Sequence, residues 1–148
     1  MKELISRAVI LQSGYILCAH REGMDNIFLP GGHIEENETP ASALERELLE
    51  ELGTEADAGT FLGIAEHGYT RDGTAVQEIN FIFRTDIPGL SPDGKTRSAE
   101  THLEFMWIAC AKHILSLRNL QPWVLQEALP RYAAGEPFPC YLSTLSQS

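Results

Sequence analysis

The stretch LPGGHIEENETPASALERELLEELGT, residues 29–54, places two consecutive glycines before a strongly acidic helical pattern. It holds seven of the chain's 21 acidic residues. Thr39 can accept a hydrogen bond at a helix N-terminus, and Pro40 suits the first helical position because an N–H there has no partner. Gly53 suits the left-handed residue that ends a helix. The pattern therefore predicts an α-helix over residues 40–52.

The predicted helix carries its acids and its leucines on adjoining faces. At about 100° per residue, three carboxylates fall within an arc of roughly 100°. They are Glu47, Glu50 and Glu51, and they border an apolar stripe of Leu44, Leu48 and Leu52. Like charges at these spacings repel, so a divalent cation among them would be stabilising. A Glu-rich helix can also simply expose a solvated face. The two glycines favour the cation, because they let a backbone carbonyl approach as a further hard oxygen ligand.

The composition indicates one globular domain and argues against several classes of protein. The chain has 148 residues, is 43% hydrophobic and carries a formal net charge of −10. This charge disfavours binding to nucleic acid or to an anionic membrane surface. No apolar run reaches the roughly 18 residues of a membrane span, and the first residues lack a signal-peptide pattern, so we expect a cytoplasmic protein. The spacing of Cys18, Cys110 and Cys140 suggests neither a disulfide framework nor a zinc site.

Outside the acidic stretch, the hydrophobic pattern predicts several strands and a second helix. The predicted strands are LISRAVILQ (4–12), YILCAH (15–20), TFLGIAEHGY (60–69), AVQEINFIFR (75–84) and EFMWIA (104–109). A tight turn around Gly14 joins the first two. We place Pro122 at the start of the second helix and Trp123 on its apolar face, and we expect Pro130 to bend or end it. Interleaved strands and helices indicate an α/β or α+β domain with helices on both sides of a mixed sheet.

Eight positions within residues 32–54 match a known signature. In chain order they are Gly32, Glu38, Arg46, Glu47, Leu48, Glu50, Glu51 and Gly53. With these residues at these spacings the chain resembles the Nudix hydrolases, although Thr54 stands where the family has an aliphatic residue. The resemblance implies a single Nudix domain over residues 1–148, built as an α/β/α sandwich with a mixed β-sheet between helices.

The resemblance also implies a metal site and a role for each signature residue. In similar proteins Mg²⁺ or Mn²⁺ is held by several carboxylates and one backbone carbonyl. The matching positions here are Glu47, Glu50, Glu51 and the carbonyl of Gly31. Arg46 would orient the acids, with Glu38 as its partner. Oxygen ligands of this kind are those that Mg²⁺ prefers.

The implied reaction is hydrolysis of a phosphoanhydride bond in a nucleoside diphosphate derivative by a metal-activated water. Glu50 is the predicted general base, and Glu47, Glu100 and Glu104 remain open. The main alternative is a non-catalytic, nucleotide-sensing module with the same fold. Such relatives often lack a signature carboxylate, and none is missing here. An isomerase of prenyl diphosphates is less favoured because no cysteine lies in a suitable motif.

The substrate is expected to contact three variable segments outside the signature. They are HREGMDN (20–26), HGYTRDGTAVQ (67–77) and SPDGKTRSAETH (91–102). Candidate substrate-binding residues are Arg21, Glu78 and Glu104. Tyr15, Phe28, Tyr69 and Trp107 could stack on a base, although aromatic residues on strands more often pack in a core. The expected partner is a small-molecule nucleotide rather than nucleic acid or a membrane, and a homodimer remains open.

Overall fold

The computed structural model describes residues 1–145 as eight strands and three helices. In chain order they are β1 (Lys2–Val9), β2 (Leu11–Gln12), β3 (Tyr15–Arg21), β4 (Gly31–His33), α1 (Pro40–Leu52), β5 (Thr60–Arg71), β6 (Thr74–Arg84), β7 (Leu103–Ala109), α2 (Lys112–Leu117), α3 (Leu125–Ala133) and β8 (Tyr141–Ser143). None of these helices is long and apolar enough to cross a membrane.

The strands form two sheets. A five-stranded sheet has the order β4-β1-β6-β5-β8, and a three-stranded sheet has the order β2-β3-β7. The larger sheet is mixed, because β1 runs parallel to β6 and β5 runs parallel to β8 while its other pairs are antiparallel. The chain passes from one sheet to the other at Ile10. The predicted strand 4–12 is therefore two strands, and only β2 forms the hairpin with β3.

Helices cover both faces of this strand assembly, as the sequence predicts. Neighbouring residues of one strand point to opposite faces, so Leu17 packs with the leucines of α1 while Cys18 packs with those of α2 and α3. In the same way Phe83 joins the α1 side and Ile82 the other side. β3 and β6 are consequently buried on both faces at these positions. The expected class with a mixed sheet between helices is confirmed.

Helix α1 has the predicted limits because both of its ends are capped. Thr39 has extended backbone angles, and its hydroxyl accepts a hydrogen bond of 3.1 Å from the Ser42 N–H. The Ser42 hydroxyl accepts a reciprocal bond of 3.0 Å from the Thr39 N–H. At the other end Gly53 is left-handed, with φ 69°, and its N–H donates to the Leu49 carbonyl. Local sequence thus defines the helix that carries the acids.

The prediction for the second helix is wrong in two respects. Helix α3 begins at Leu125 rather than at Pro122, and Trp123 precedes it with 43% of its surface exposed. The Gln121 N–H donates to the Ile27 carbonyl at 3.0 Å, so this segment bonds to a distant part of the chain instead of starting a helix. Pro130 lies inside α3, which continues to Ala133.

Some segments without a predicted element are regular in the structure. Gly31–His33 is an edge strand, and the two strands predicted at 60–69 and 75–84 extend toward each other to form one long hairpin that turns at Asp72 and Gly73, with φ values of 51° and 80°. The short elements α2 and β8 were not expected. Helix α2 has six residues and strand β8 has three, so both are too short to show a clear hydrophobic period.

Adjacent leucines of α1 test how much the packing of this helix contributes to stability. Leu48 is fully buried, whereas Leu49 is 47% exposed. We expect Leu48→Ala to lower the free energy of unfolding by about 2–5 kcal/mol, because it removes buried methyl groups and leaves a cavity. Leu49→Ala should cost less than about 1 kcal/mol. Urea denaturation of both variants measures the difference, and equal losses would contradict the described packing.

Candidate active site

Arg46 joins the loop before α1 to the helix. Its Nε donates to Glu38 Oε2 at 2.7 Å and its Nη2 donates to Glu38 Oε1 at 2.9 Å, so the pair is bidentate. The same Nη2 donates to the His33 carbonyl at 3.0 Å. The hydrogen bonds from Arg46, and then the N–H of Glu35, lower the pKa of Glu38 to about 2. Charge-assisted bidentate bonds are both strong and directional, which fixes the loop against the helix.

The same guanidinium also contacts two of the predicted metal ligands. Nη1 donates to Glu47 Oε1 at 3.0 Å and to the two oxygens of Glu50 at 3.3 and 3.4 Å. One cation therefore offsets the charge of Glu38, Glu47 and Glu50 together. These carboxylates, Glu38 above all, raise the pKa of Arg46 above its usual range.

Glu51 is the buried member of the acidic cluster, with 4% of its surface exposed. Burial, followed by a hydrogen bond with Glu47, raises the pKa of Glu51 well above its usual range. The Gly31 N–H donates to Glu51 Oε1 at 3.4 Å. A cation placed between two neighbouring carboxylates would offset the charge of both. Glu47 and Glu51 thus provide hard oxygen atoms at one point, which suits a divalent metal ion.

Gly31 and Gly32 are each required to be glycine for a different steric reason. Gly31 has φ 139° and pairs with Arg7 of β1, and a Cβ there would lie 2.0 Å from the Ser6 carbonyl oxygen. A Cβ on Gly32 would lie 2.4 Å from the carboxyl carbon of Glu47. Gly31 therefore permits the strand pairing, and Gly32 leaves the space that the Glu47 carboxylate occupies.

A cavity of about 990 Å³ adjoins these groups. Gly31, Gly32 and the three helix acids Glu47, Glu50 and Glu51 line it. Each of the three segments predicted to contact substrate contributes to the walls, through residues that include Arg21, Tyr69 and Glu100. A cavity of this size accommodates a nucleotide.

The other predicted residues divide between the cavity and the surface. Glu78 lines the cavity, and its Oε2 accepts a hydrogen bond of 3.2 Å from the Tyr69 hydroxyl. Glu104 lies instead at a separate depression of about 300 Å³, 3.4 Å from His20, with a side chain that is 70% exposed. Of the four aromatic candidates, Phe28 and Tyr69 line the cavity. Trp107 packs against the core on the α1 side.

Sequence reasoning missed four polar residues of the cavity. They are Arg7, Asn80, Asn119 and Gln121. Arg7 and Asn80 are polar residues within strongly apolar strands, and a polar residue in such a position indicates a functional role. Burial lowers the pKa of Arg7, while the nearby carboxylates of Glu78, Glu51 and Glu47 favour its charged form. Asn119 and Gln121 bond to each other at 2.8 Å in the segment between α2 and α3, where the sequence carries no motif.

The donor set fits a divalent metal ion if the Glu50 side chain turns away from Arg46. Within residues 1–145, no three His, Cys, Asp or Glu side chains are already arranged as a metal site. The acids come close as a pair, Glu47 with Glu51, and Glu50 is turned toward Arg46. The Gly31 carbonyl and a rotation of Glu50 would complete the predicted set of ligands.

A family model described as NUDIX domain matches residues 3–131. The chain belongs to the Nudix family. Phosphatase NudJ of Escherichia coli K12 is 27% identical over 110 residues, which cover 74% of this chain and 68% of that protein. A Nudix hydrolase from Nitrosomonas europaea superimposes with a TM-score of 0.64 at 24% identity, covering 94% and 93% of the two chains. The solution structure of the E. coli ORF135 protein gives a TM-score of 0.62 at 25% identity, covering 93% and 95%.

Membership of this family confirms the predicted enzyme class and fold. The protein is a Nudix hydrolase, and the general activity of the family is the hydrolysis of pyrophosphate linkages. Nudix hydrolases act on small-molecule nucleotides and generally use divalent metal ions. The hydrolase prediction is thereby favoured over a nucleotide-sensing module.

The ion pair between Glu38 and Arg46 predicts a pH-dependent contribution to stability. The folded pKa of Glu38, about 2, lies below the unfolded value of about 4.3. The pair therefore stabilises the fold fully above the unfolded pKa, and this contribution is lost as the pH falls toward the folded pKa. The difference in unfolding free energy between the wild type and Glu38→Gln should be constant above about pH 5 and narrow below about pH 4.3.

Urea denaturation at pH 7, 5, 4 and 3 measures this difference. Glu36→Gln is the matched control, because Glu36 lies on the same exposed loop and forms no ion pair within residues 1–145. We expect the control to differ little from the wild type at pH 7. A gap between wild type and Glu38→Gln that is as large at pH 3 as at pH 7 would contradict the described pair.

Proposed function

We propose that this protein hydrolyses the pyrophosphate linkage of a nucleoside diphosphate derivative, with Mg²⁺ or Mn²⁺ as its cofactor. The observation that carries the proposal is the acidic cluster of α1, two of whose members are bound by Arg46, on the wall of a cavity of about 990 Å³. A cavity lined by clustered acids and by other polar residues suits a ligand that joins a phosphorylated part to a larger organic group.

The proposed metal ligands are Glu47, Glu50, Glu51 and the Gly31 carbonyl. A divalent cation bound there would lower the pKa of a water molecule and offset charge on the phosphate oxygens. Glu51 is suited to this role because its burial makes an uncompensated negative charge costly. Arg46 touches Glu47 and Glu50 without being a ligand itself, so we assign it a positioning role together with Glu38.

Glu50 is the proposed general base. Its side chain is 50% exposed and faces the cavity, and its contacts with Arg46 are longer than the contact that Arg46 makes with Glu47. It is therefore freer than Glu47 to rotate and accept a proton from the attacking water. Glu100 also lines the cavity and is the second candidate. Glu104 is less suited, because its side chain lies at the separate surface depression.

The proposed substrates are small nucleotides. The net charge of −10 opposes binding of long nucleic acids, whereas one diphosphate can be neutralised locally. Suitable compounds are nucleoside triphosphates, ADP-ribose and other sugar nucleotides, and dinucleoside polyphosphates, with capped RNA ends as a less favoured class. A structural neighbour described as a UDP-X diphosphatase superimposes with a TM-score of 0.60 at 21% identity, which supports the shared fold.

A panel of these compounds, assayed with Mg²⁺ and with Mn²⁺, tests the proposed reaction and the role of Glu50. Glu50→Gln should fold normally and lose about 10²–10⁴-fold in turnover, the usual contribution of a general base. Glu45→Gln is the matched control on the same helix. Its amide keeps an oxygen that can accept the hydrogen bond from the Ala58 N–H, so turnover should stay near that of the wild type.

Two results of this assay would count against the proposal. Near-normal turnover by Glu50→Gln would exclude Glu50 as the base and direct attention to Glu100. No turnover of any compound by the folded wild type would reject the proposed substrate class. Resolving the products by chromatography also shows which phosphorus is attacked.

Gly32→Ala tests whether the position of Glu47 matters for metal binding rather than for folding. The added methyl group would displace the Glu47 carboxylate, which is the mobile end of a side chain. We expect Mn²⁺ binding, followed by the loss of the free-ion signal in electron paramagnetic resonance, to weaken by about tenfold or more, as for other disturbed metal ligands. The unfolding temperature should change little. Gly94→Ala, where the nearest atom would lie 3.9 Å away, is the control. Unchanged Mn²⁺ binding by Gly32→Ala would argue against Glu47 as a ligand.

A further inference from the structure

Two arginines that line the cavity, Arg7 and Arg21, have no carboxylate partner in the part of the chain that the structure describes. The chain has 21 acidic residues against 11 lysines and arginines, so its basic side chains have many potential partners. Arg46 and Arg71, which also line or border the cavity, each lie within 3.0 Å of a carboxylate oxygen. Within residues 1–145, neither Arg7 nor Arg21 has a carboxylate oxygen within 4.0 Å of its guanidinium. Unpaired guanidinium groups in a cavity are suited to an anionic ligand.

Arg7 is held in place by the protein and keeps most of its donors unused. It lies on β1, half-buried, with its guanidinium carbon 5.2 Å from the centre of the Phe28 ring. Its Nη1 donates to the Leu29 carbonyl at 3.0 Å. A guanidinium has five N–H donors, and this is the single hydrogen bond that the Arg7 side chain makes within the described residues. The group is therefore oriented in advance, with donors available to a ligand.

Arg21 adds a second positive charge on the same cavity. It is the last residue of β3 and is exposed, and its side chain forms no hydrogen bond within residues 1–145. Both residues line the same cavity, and the positive charge of Arg21 adds to the burial that lowers the pKa of Arg7. Like charges that approach each other without an intervening anion cost stability, and a bound anion removes that cost.

Three carboxylates near Arg7 favour its charged form without pairing with it directly. Glu78, Glu51 and Glu47 all act on Arg7 at longer range than a direct ion pair. Arg7 pairs with Gly31 in the sheet, so it lies beside the acidic cluster, and it also lines the cavity. This is the position in which a guanidinium could contact one phosphate while the acidic cluster serves its neighbour.

We propose that Arg7 and Arg21 form an anion-binding pair that contacts a phosphate of the substrate directly, without the metal ion as an intermediary. The assignment of the anion to a diphosphate rests on the proposed function. The diphosphate would then be neutralised at two separate places, at the glutamates through the cation and at the arginines through hydrogen bonds. A substrate with a single phosphate could use only one of the two.

A purely structural role for Arg7, holding Leu29 and Phe28, makes a different prediction. In that case substitution would change stability and leave the affinity for anions unaffected, and Arg21 would not matter. The variants Arg7→Gln and Arg21→Gln, with Arg7→Lys as a conservative change, separate these roles. Arg131→Gln is the matched control, since Arg131 pairs with Glu127 on the exposed side of α3, away from the cavity.

The test is the binding of inorganic pyrophosphate in the presence of EDTA, followed by ³¹P nuclear magnetic resonance at low ionic strength. Without divalent cations, hydrolysis does not enter the measurement. The wild type should bind pyrophosphate, and Arg7→Gln and Arg21→Gln should each weaken binding by about 10- to 100-fold, the usual effect of losing charge-assisted hydrogen bonds. Arg7→Lys should retain part of the affinity, and Arg131→Gln should bind as the wild type does.

Each other result decides against the proposal. No binding of pyrophosphate by the wild type would overturn it, and so would equal binding by the wild type and both glutamine variants. Loss of binding in Arg7→Gln alone would reject the pair. If Arg7→Gln fails to fold, as judged by its unfolding transition, Arg21→Gln and Arg7→Lys decide the outcome. Failure of the nucleotide panel to show hydrolysis would reject the proposed function and would leave this binding result standing by itself.

Discussion

The hydrogen bonds of Arg46 are the interaction on which the site depends. The stretch from residue 29 to 54 contains seven acids, and repulsion among them would push the loop away from the helix. One guanidinium binds Glu38 in a bidentate manner, reaches Glu47 and Glu50, and also bonds to the His33 carbonyl. Because its fork of donors is planar and always charged, it sets the positions of several carboxylates at once. A lysine would supply the charge without the geometry.

A second constraint couples the site to the sheet. Gly31 pairs with Arg7 so close to the Ser6 carbonyl that a side chain at this position would clash with it. Gly32 leaves room for the Glu47 carboxylate. Strand β1 therefore contributes to the core through Ala8 and Val9 and to the cavity through Arg7. The acidic cluster is held close to the cavity walls because β4, which carries the two glycines, pairs with β1, which carries Arg7, and because α1 is capped at both ends.

The protein has a formal net charge of −10, and a nucleotide substrate is also negatively charged. Binding therefore requires local positive charge. The cluster of Glu47, Glu50 and Glu51 can bind such a substrate only by way of a cation, since the bare carboxylates repel phosphate. The cavity walls add two guanidinium groups, those of Arg7 and Arg21, which form no ion pair among residues 1–145, and neutral amides. These groups could contact an anion without a cation. A substrate that carries both a diphosphate and a polar organic group would match this division of the cavity, which accords with the small-molecule nucleotides on which Nudix hydrolases act.

Local sequence was sufficient for the helix, its two caps, the spacing of its carboxylates and the family, because those features depend on residues within one or two turns of each other. The limits of α1 follow from its local capping residues, and the pairing of Glu38 with Arg46 is the one that the resemblance to the Nudix signature implied. The tertiary structure decided the rest. The break at Ile10, the late start of α3, the place of Glu104 at a separate depression and the convergence of Arg7, Asn80 and Gln121 on one cavity all depend on strand register and on contacts between distant segments. No local pattern encodes which residues of different strands will meet, because a shift of one residue in register turns every side chain to the other face.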